Sequence, residues 1–381
     1  MVDCDQILFQ PWVLNLTFKN RAEPLFNSMD KTTDYQKPIT DIKDFIGRKS
    51  LTAKIYSRIG AGRPQSVSIV GDLKIGKTSL LNYLAAQQTM KEFLDKPASY
   101  IFITISVSSN EITTLDQFVD ILIREVSQKS NIPTDASISH YDWFKKVAEA
   151  LTHEHRKMII FLDDFNIITQ NENFPLEFFS FLRSMANNYN VAYVTTSYHD
   201  LQKLCVSKDV EESPFFNIFT NMTLRAITEE NVQKLIEMYC PGISKEKSDI
   251  LIKYAGRFPF QLKVACNTLA KMPTNDTGNN FEESFSNNFY TEIKSYFELL
   301  VSRFDVEYQK ILQHFVATGS IPDKYSFLFN DLERKDYTFR NGKKAGLYSP
   351  AFERYIAERF NIKLKTSSSS VFQKILNWFK K

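Results

Sequence analysis

Eight residues between an apolar run and an amphipathic one constrain this chain more than anything else in it. Residues 71–78 read Gly71-Asp72-Leu73-Lys74-Ile75-Gly76-Lys77-Thr78, followed by Ser79. Before them, Ser66–Val70 reads as a short apolar strand. After them, Lys77–Gln88 carries Leu80, Leu81, Leu84 and Ala85 on one helical side. A strand, a tight turn and a helix N-terminus make an anion cradle. Main-chain N–H groups ring the anion, and the helix dipole adds partial positive charge. Gly71 and Gly76 are expected to permit the turns and keep Cβ atoms out of the phosphate path. Lys77 supplies a mobile positive charge for β- and γ-phosphates, and the Thr78 hydroxyl can ligate Mg²⁺. The spacing G-x-x-x-x-G-K-T, in this context, is a phosphate-binding loop.

A second element agrees with the first. Met158-Ile159-Ile160-Phe161-Leu162-Asp163-Asp164 is an apolar strand ending in two carboxylates, one strand further along. Asp163 is expected to hold Mg²⁺ through water near Thr78. Asp164 is expected to orient or deprotonate an attacking water. The chain contains no N-K-x-D guanine motif, and no D-x-x-G follows a suitable strand, which argues against a GTPase. A nucleotide kinase would not need the helical units that follow.

Composition sets the outer bounds. With 381 residues the chain is long enough for two or three domains. Its 43% hydrophobic and 24% charged residues exclude a mainly disordered chain, a collagen and a coiled-coil rod. No apolar run is long enough to cross a bilayer, and the acidic start MVDCDQILFQPW has the wrong charge for a secretory signal. The net charge of +3 neither demands nor excludes a nucleic-acid partner. Cys4, Cys205, Cys240 and Cys266 form no CxxC pair and no zinc-ligand spacing, so a reduced, cytoplasmic interior is expected. His140, His153, His155, His199 and His314 give no metal set.

Strands alternate with helices through the first two thirds of the chain. Strands are expected at Ser99–Val107, Met158–Leu162, Val191–Thr195 and near Met222–Ile227. Helices are expected at 50–59, 111–129, 140–155 and 174–187. That pattern predicts βαβ units, hence an α/β fold with a parallel sheet and helices on both faces. After Glu229 only helices follow, near 229–239, 244–255 and 259–271, then a polar loop at 273–280. Further helices near 290–303, 305–317 and 324–334, a hairpin over Tyr337–Tyr348 and a helix from Pro350 to Phe360 give the order of a winged helix. The expected division is an arm at 1–40, a nucleotide-binding domain at 41–228, a helical lid at 229–272, a winged-helix domain at 285–362, and a linker with a basic amphipathic helix at 363–381.

Together these motifs resemble AAA+ ATPases of the initiator and STAND types. Phe45-Ile46-Gly47-Arg48 resembles the box that lies against adenine in that family, which implies base contacts for Ile46 and Arg48. Val191–Ser197 looks like the sensor strand, whose terminal polar residue watches the γ-phosphate, which implies a catalytic role for Ser197 beside Lys77 and Asp164. Ser213-Pro214-Phe215-Phe216-Asn217, then Leu224 and Thr228-Glu229-Glu230, is similar to the approach to the lid. Gly256-Arg257-Phe258-Pro259-Phe260 resembles the lid's G-x-x-P motif, which brings Pro259 to the base. The resemblance covers roughly 40–362 and implies ATP and Mg²⁺ as cofactors. Three departures matter. Leu51 replaces an acid after the GR box, Ser197-Tyr198 stands where many relatives carry Arg, and the second strand-end acid is Asp rather than Glu. Arg183 and Arg225 are candidate arginine fingers without a deciding feature. Slow hydrolysis, with nucleotide as a switch more than as fuel, is the expectation.

Three readings of output stay open. The first is a conformational switch in which the winged helix packs on the nucleotide domain. The second is DNA contact through the basic residues of 324–344, which Asp323, Asp331, Glu333 and Asp336 interrupt. The third is an oligomerising signalling or defence scaffold with protein partners or further copies of itself. Lys74 is expected to point to solvent more often than to nucleotide. Val371, Phe372, Ile375, Leu376 and Phe379 share one helical face, which suits docking on the chain's own domain, a partner or a membrane surface.

Overall fold

The computed structural model describes residues 36–273, 279–341 and 344–363. Most of the expected arm, residues 274–278 of the polar loop, the hairpin tip at Gly342 and Lys343, and the C-terminal helix at 371–381 lie outside them. Five strands form one all-parallel sheet: β1 (Ser66–Val70), β2 (Tyr100–Ser106), β3 (Lys157–Asp163), β4 (Val191–Ser197) and β5 (Phe219–Thr223). Their order is β2-β3-β4-β1-β5. The chain leaves β1, next to one edge, for the opposite edge and returns through β3 and β4, so a crevice opens at the C-terminal ends of β1, β3 and β4. Pairing of Val70 with Ser197 and of Ser106 with Asp163 puts the loop after β1 and the paired carboxylates on that same edge.

Alternation along the strands divides the buried side chains between two cores, as a sheet covered on both faces requires. Val67, Ile69, Ile159, Phe161, Ala192 and Val194 face one core. There they meet α1 (Lys49–Ile59), α2 (Lys77–Ala85) and α3 (Gln87–Phe93). Ile101, Ile103, Ile105, Met158, Ile160, Leu162, Val191 and Tyr193 face the other core. It is filled by α4 (Leu115–Ser130), α5 (His140–His153), α6 (Asn166–Thr169), α7 (Leu176–Asn188) and α8 (Lys208–Glu211). Caps set several boundaries: Thr114 and Gln117 form a capping box on α4, and Ser139 caps α5. The α/β fold of the nucleotide-binding domain is as the strand–helix alternation predicts.

Two local expectations shift. The helix expected through Gln88 breaks at Ala86, whose extended ψ of 135° starts α3. β5 lies three residues earlier than expected. Leu224 and Ile227 are buried like strand residues, yet the chain leaves the sheet at Leu224, whose N–H still reaches the Val70 carbonyl at 2.7 Å.

Beyond the sheet come α9 (Glu229–Tyr239), α10 (Lys245–Ala255) and α11 (Pro259–Lys271). Next is a long α12 (Asn279–Ser302), then α13 (Val306–Thr318) and α14 (Ser326–Arg334). The hairpin of β6 (Thr338–Asn341) and β7 (Lys344–Leu347) and helix α15 (Pro350–Arg359) complete the described elements. α12 is longer than the expected helix because its apolar stripe begins earlier. Phe281, Phe285 and Phe289 are four apart and stack at 6.2 and 5.8 Å on one face. Each such buried ring contributes about 1.5–3 kcal/mol. Its later turns pack Phe297 on Phe352 of α15 at 5.3 Å.

A buried carboxylate fixes the C-terminal unit to the sheet. Asp336, in the left-handed region at φ 65°, accepts from Arg257 at 2.7 Å, Arg225 at 3.2 Å and the Ala226 N–H at 3.2 Å. Residues 225–226 are the exit from β5 and Arg257 precedes α11. One side chain therefore ties together the exit of β5, the start of α11 and the turn before the hairpin.

Candidate functional site

A cavity of about 620 Å³ opens at the C-terminal edge of the sheet. It is lined by Leu73, Lys74, Ile75, Gly76, Lys77, Thr78 and Ser79 of the loop and helix start, and by Asp164 and Ser108. Ile46 and Arg48 line it as well, as do Pro259, Phe260 and Lys263 of α11. The structure thus brings together residues as distant in sequence as Ile46 and Lys263.

The loop is built as the sequence implies, with one change of role. Gly76, at φ 104°, caps α2 in a conformation that suits only glycine, and a Cβ there would meet open space. Gly71 has no such conformation. A Cβ on it would come within 2.8 Å of Ile75 Cγ2 and 3.1 Å of Leu224 Cβ. It is small so that the loop can pass the exit of β5, rather than to clear a phosphate path. Lys77 Nζ donates to the carbonyls of Gly71 at 2.9 Å and Asp72 at 3.2 Å. Burial lowers its pKa, and the neighbouring Asp164, Asp72 and Asp163 oppose that shift.

Thr78 Oγ1 donates to Asp163 Oδ2 at 2.7 Å, and Thr196 Oγ1 donates to Asp163 Oδ1 at 2.6 Å. Burial raises the Asp163 pKa, and these two hydroxyls pull it back. Among the described residues no group of three or more His, Cys, Asp and Glu could hold a metal. The Thr78–Asp163 oxygen pair instead fits Mg²⁺, a hard ion that takes few protein oxygens and fills its shell with phosphate and water. Asp164 sits at φ 54°, held by its N–H to Thr196 Oγ1 at 2.9 Å and by Ser108 Oγ to its Oδ2 at 2.8 Å. A non-glycine residue at positive φ next to Asp163 is a conformation found more often at functional sites than elsewhere.

Ser197 lies elsewhere. It is fully buried and its hydroxyl donates to the His199 carbonyl, so it is not among the residues lining the cavity. Strand alternation turns Thr196 toward Asp163 instead. Asp72 also leaves the cavity. Its carboxylate faces a small cleft with His199, Tyr308 and Lys335, where burial raises its pKa and Lys335 opposes the rise. Arg48, at φ 65°, donates to the Ala226 and Ile75 carbonyls at 3.2 and 3.4 Å, and burial brings its pKa down to about 10. Of the two candidate fingers, Arg225 is held by Asp336, and neither it nor Arg183 lines the cavity.

Sequence reasoning missed a strap, a platform and a cation. Gln36, Lys37, Pro38 and Ile39 line the cavity. Ile39 gives its N–H to Ser79 Oγ at 3.0 Å and takes Asn82 Nδ2 on its carbonyl at 3.0 Å. Lys74 Nζ donates to the Gln36 carbonyl at 2.9 Å, so this loop lysine fastens the strap rather than pointing away. Tyr239 and Lys263 face each other at 5.4 Å on the lid side. Tyr198 and Arg303 complete the wall near Asp164. Pro38 was the only local signal for the strap; nothing adjacent in sequence marks Tyr239 or Arg303.

This sheet order, loop and carboxylate pair define an ATP-binding P-loop ATPase of AAA+ and STAND type. The chain belongs to the Novel STAND NTPase 2 family (nSTAND2), whose model matches residues 61–320. Sequence comparison with curated proteins gives no match. Among solved structures the chain resembles the Walker-type ATPase of Pyrococcus abyssi, at 14% identity and a TM-score of 0.55. That match covers 84% of this chain and 98% of the other. It also resembles the ADP form of the Aeropyrum pernix ORC2 protein, at 12% identity and a TM-score of 0.50, covering 92% and 97%. At these identities the likeness is one of fold. Among the described residues no helix is long and apolar enough to cross a membrane.

Proposed function

We propose that the cavity binds ATP with Mg²⁺ and that the bound nucleotide sets how the lid and the C-terminal unit sit on the sheet. One observation carries this reading: the cavity is walled by the phosphate loop, by α11 of the lid and by Arg303 of the C-terminal unit together. Whatever fills it touches all three and biases their arrangement. The C-terminal unit also meets the loop directly, since Tyr296 Oη on α12 donates to the Leu73 carbonyl at 3.2 Å.

In this reading the main-chain N–H groups of 72–78 and Lys77 hold the phosphates, with Lys77 exchanging its carbonyl partners for phosphate oxygens. Thr78 and Asp163 would hold Mg²⁺, which would supply charge neutralisation to the phosphates. Asp164 orients the water for in-line attack. Ile46, Arg48 and Pro259 border the base. The short reach of Asp164 supports slow turnover, below about 10 s⁻¹. For DNA contact, the described basic residues of 324–344 divide: Lys324 and Arg334 lie over the rings of Tyr325 and Phe327, and two others are paired. Arg340 is bound to Glu333 and Asn330, and Lys335 to Asp331.

Lys77→Ala tests the reading. A calorimetric titration is expected to lose ATP binding while the thermal melt of the nucleotide-free protein stays within a few degrees. Retained tight binding overturns the assignment.

A further inference from the structure

We infer that Arg303, on the turn between α12 and α13, is the group that tells a triphosphate from a diphosphate in this cavity. The inference rests on the nucleotide reading above and adds a residue of the C-terminal unit to the phosphate contacts.

Arg303 lines the cavity together with Lys77, Ser108, Asp164 and Tyr198, at its carboxylate end. Its guanidinium lies over the Tyr198 ring, 5.5 Å from the centroid. That ring is itself held: the Tyr198 hydroxyl accepts from Gln170 Nε2 at 2.8 Å, and Gln170 lines the same cavity. The platform stations a cation just past the end of β4. Two turns earlier on α12, the Tyr296 contact to Leu73 fixes the distance of this helix from the phosphate loop.

The other cations on the loop side have protein acceptors. Lys77 has two loop carbonyls, Lys74 the Gln36 carbonyl, and Arg48 the carbonyls of Ala226 and Ile75. Among the described residues the Arg303 side chain makes no hydrogen bond and no ion pair. Five planar donors are therefore free in a site that shares a wall with Lys77. Lys77 and Arg303 line one cavity, and a phosphate held there can accept from both. Guanidinium also matches phosphate in a two-pronged geometry that an ammonium cannot copy.

The order of groups along the cavity sets the selectivity. The loop amides and Lys77 take the inner phosphates. Arg303 rests on Tyr198, directly after β4, and Asp164 directly follows β3, the neighbouring strand, so in this reading both border the γ-phosphate position.

The test uses the full chain, stripped of co-purified nucleotide, with ADP and a non-hydrolysable ATP analogue as probes. Dissociation constants are measured for the natural protein, Arg303→Gln and Arg303→Lys. Arg303→Gln is expected to weaken the triphosphate roughly tenfold or more. Its effect on ADP should stay within about threefold. Arg303→Lys keeps the charge and loses the fork, so it should fall between. A purely structural role would weaken both nucleotides alike, and that result, or no loss for either, overturns the inference. Should Arg303→Gln fail to fold, the ratio in Arg303→Lys decides by the same criterion. If the natural protein binds neither probe, the nucleotide reading itself fails and takes this inference with it. If it binds both and the variants keep its ratio, only Arg303 is removed.

Discussion

The two ends of the cavity are built in different ways. The phosphate end is nearly contiguous: residues 71–79 supply the loop and helix start, and one strand end supplies Asp163 and Asp164. The opposite walls are assembled from afar, by Ile46 and Arg48 before the sheet, Pro259 and Lys263 on α11, and Arg303 beyond α12. Charge follows the same split. Lys77 and Asp163 have pKa values shifted by burial among short-range partners, whereas Arg303 lacks a partner among the described residues. In the proposed reading the contiguous end grips, because its residues are adjacent in sequence. The assembled walls would report, because they are drawn from separate stretches of the chain.

The largest effect that separates the two ends is expected at Asp164. Replacing it with Asn keeps size and the main-chain bond to Thr196 but removes the charge facing the water. Phosphate release should fall about a hundredfold or more, while ATP affinity in a calorimetric titration stays close to that of the natural protein. Loss of binding with Asp164→Asn would show that the contiguous end does not divide grip from chemistry.

Next in size is Asp336→Ala, which leaves Arg225 and Arg257 without their shared carboxylate. Arg225 is 50% exposed and Arg257 25% exposed, which moderates the cost of a broken ion pair. A loss of about 2 kcal/mol in urea unfolding is expected. Limited proteolysis should also cut sooner between the sheet and the hairpin unit. A variant that melts as before, with unchanged protection, would separate the docking of the C-terminal unit from this carboxylate.

The smallest effect concerns the clasp between α12 and α15. Burial alone would raise the Glu358 pKa. Hydrogen bonds from Tyr290, Lys294 and Arg354 outweigh it and bring the pKa down to about 2. A carboxylate with a depressed folded pKa stabilises the fold above its ordinary pKa, about 4.3. That contribution is lost as pH falls from there toward 2. Glu358 is 40% exposed, so solvent screening limits the effect. Glu358→Gln should cost under about 1 kcal/mol at neutral pH. It should also flatten the melting curve against pH between 5 and 2. An unchanged slope would mean that the clasp does not hold this unit.

Much of the contiguous end was legible in the sequence because its requirements are local. A helix N-cap at φ 104° calls for glycine, and a strand carrying Met158 to Leu162 must end where its carboxylates begin. Neighbouring residues were harder to separate. Thr196 and Ser197 are both polar and both end a strand. Which one meets Asp163 depends on the register of β4 with β3, where Thr195 lies opposite Leu162. Gly71 misled for a similar reason: its neighbour in space is Leu224, a residue of another strand's exit.

The sequence by itself determined the parallel α/β sheet, the phosphate loop and the acidic strand end, since each is written in backbone propensities and side-chain periods over a few adjacent residues. Only the tertiary structure decided that Asp72 turns into a cleft with Lys335, that residues 36–39 strap the loop, and that Arg303 lines the same cavity as Asp164. Those placements come from burying apolar faces of α11, α12 and the hairpin unit against one another. Such packing brings together residues that no local spacing relates.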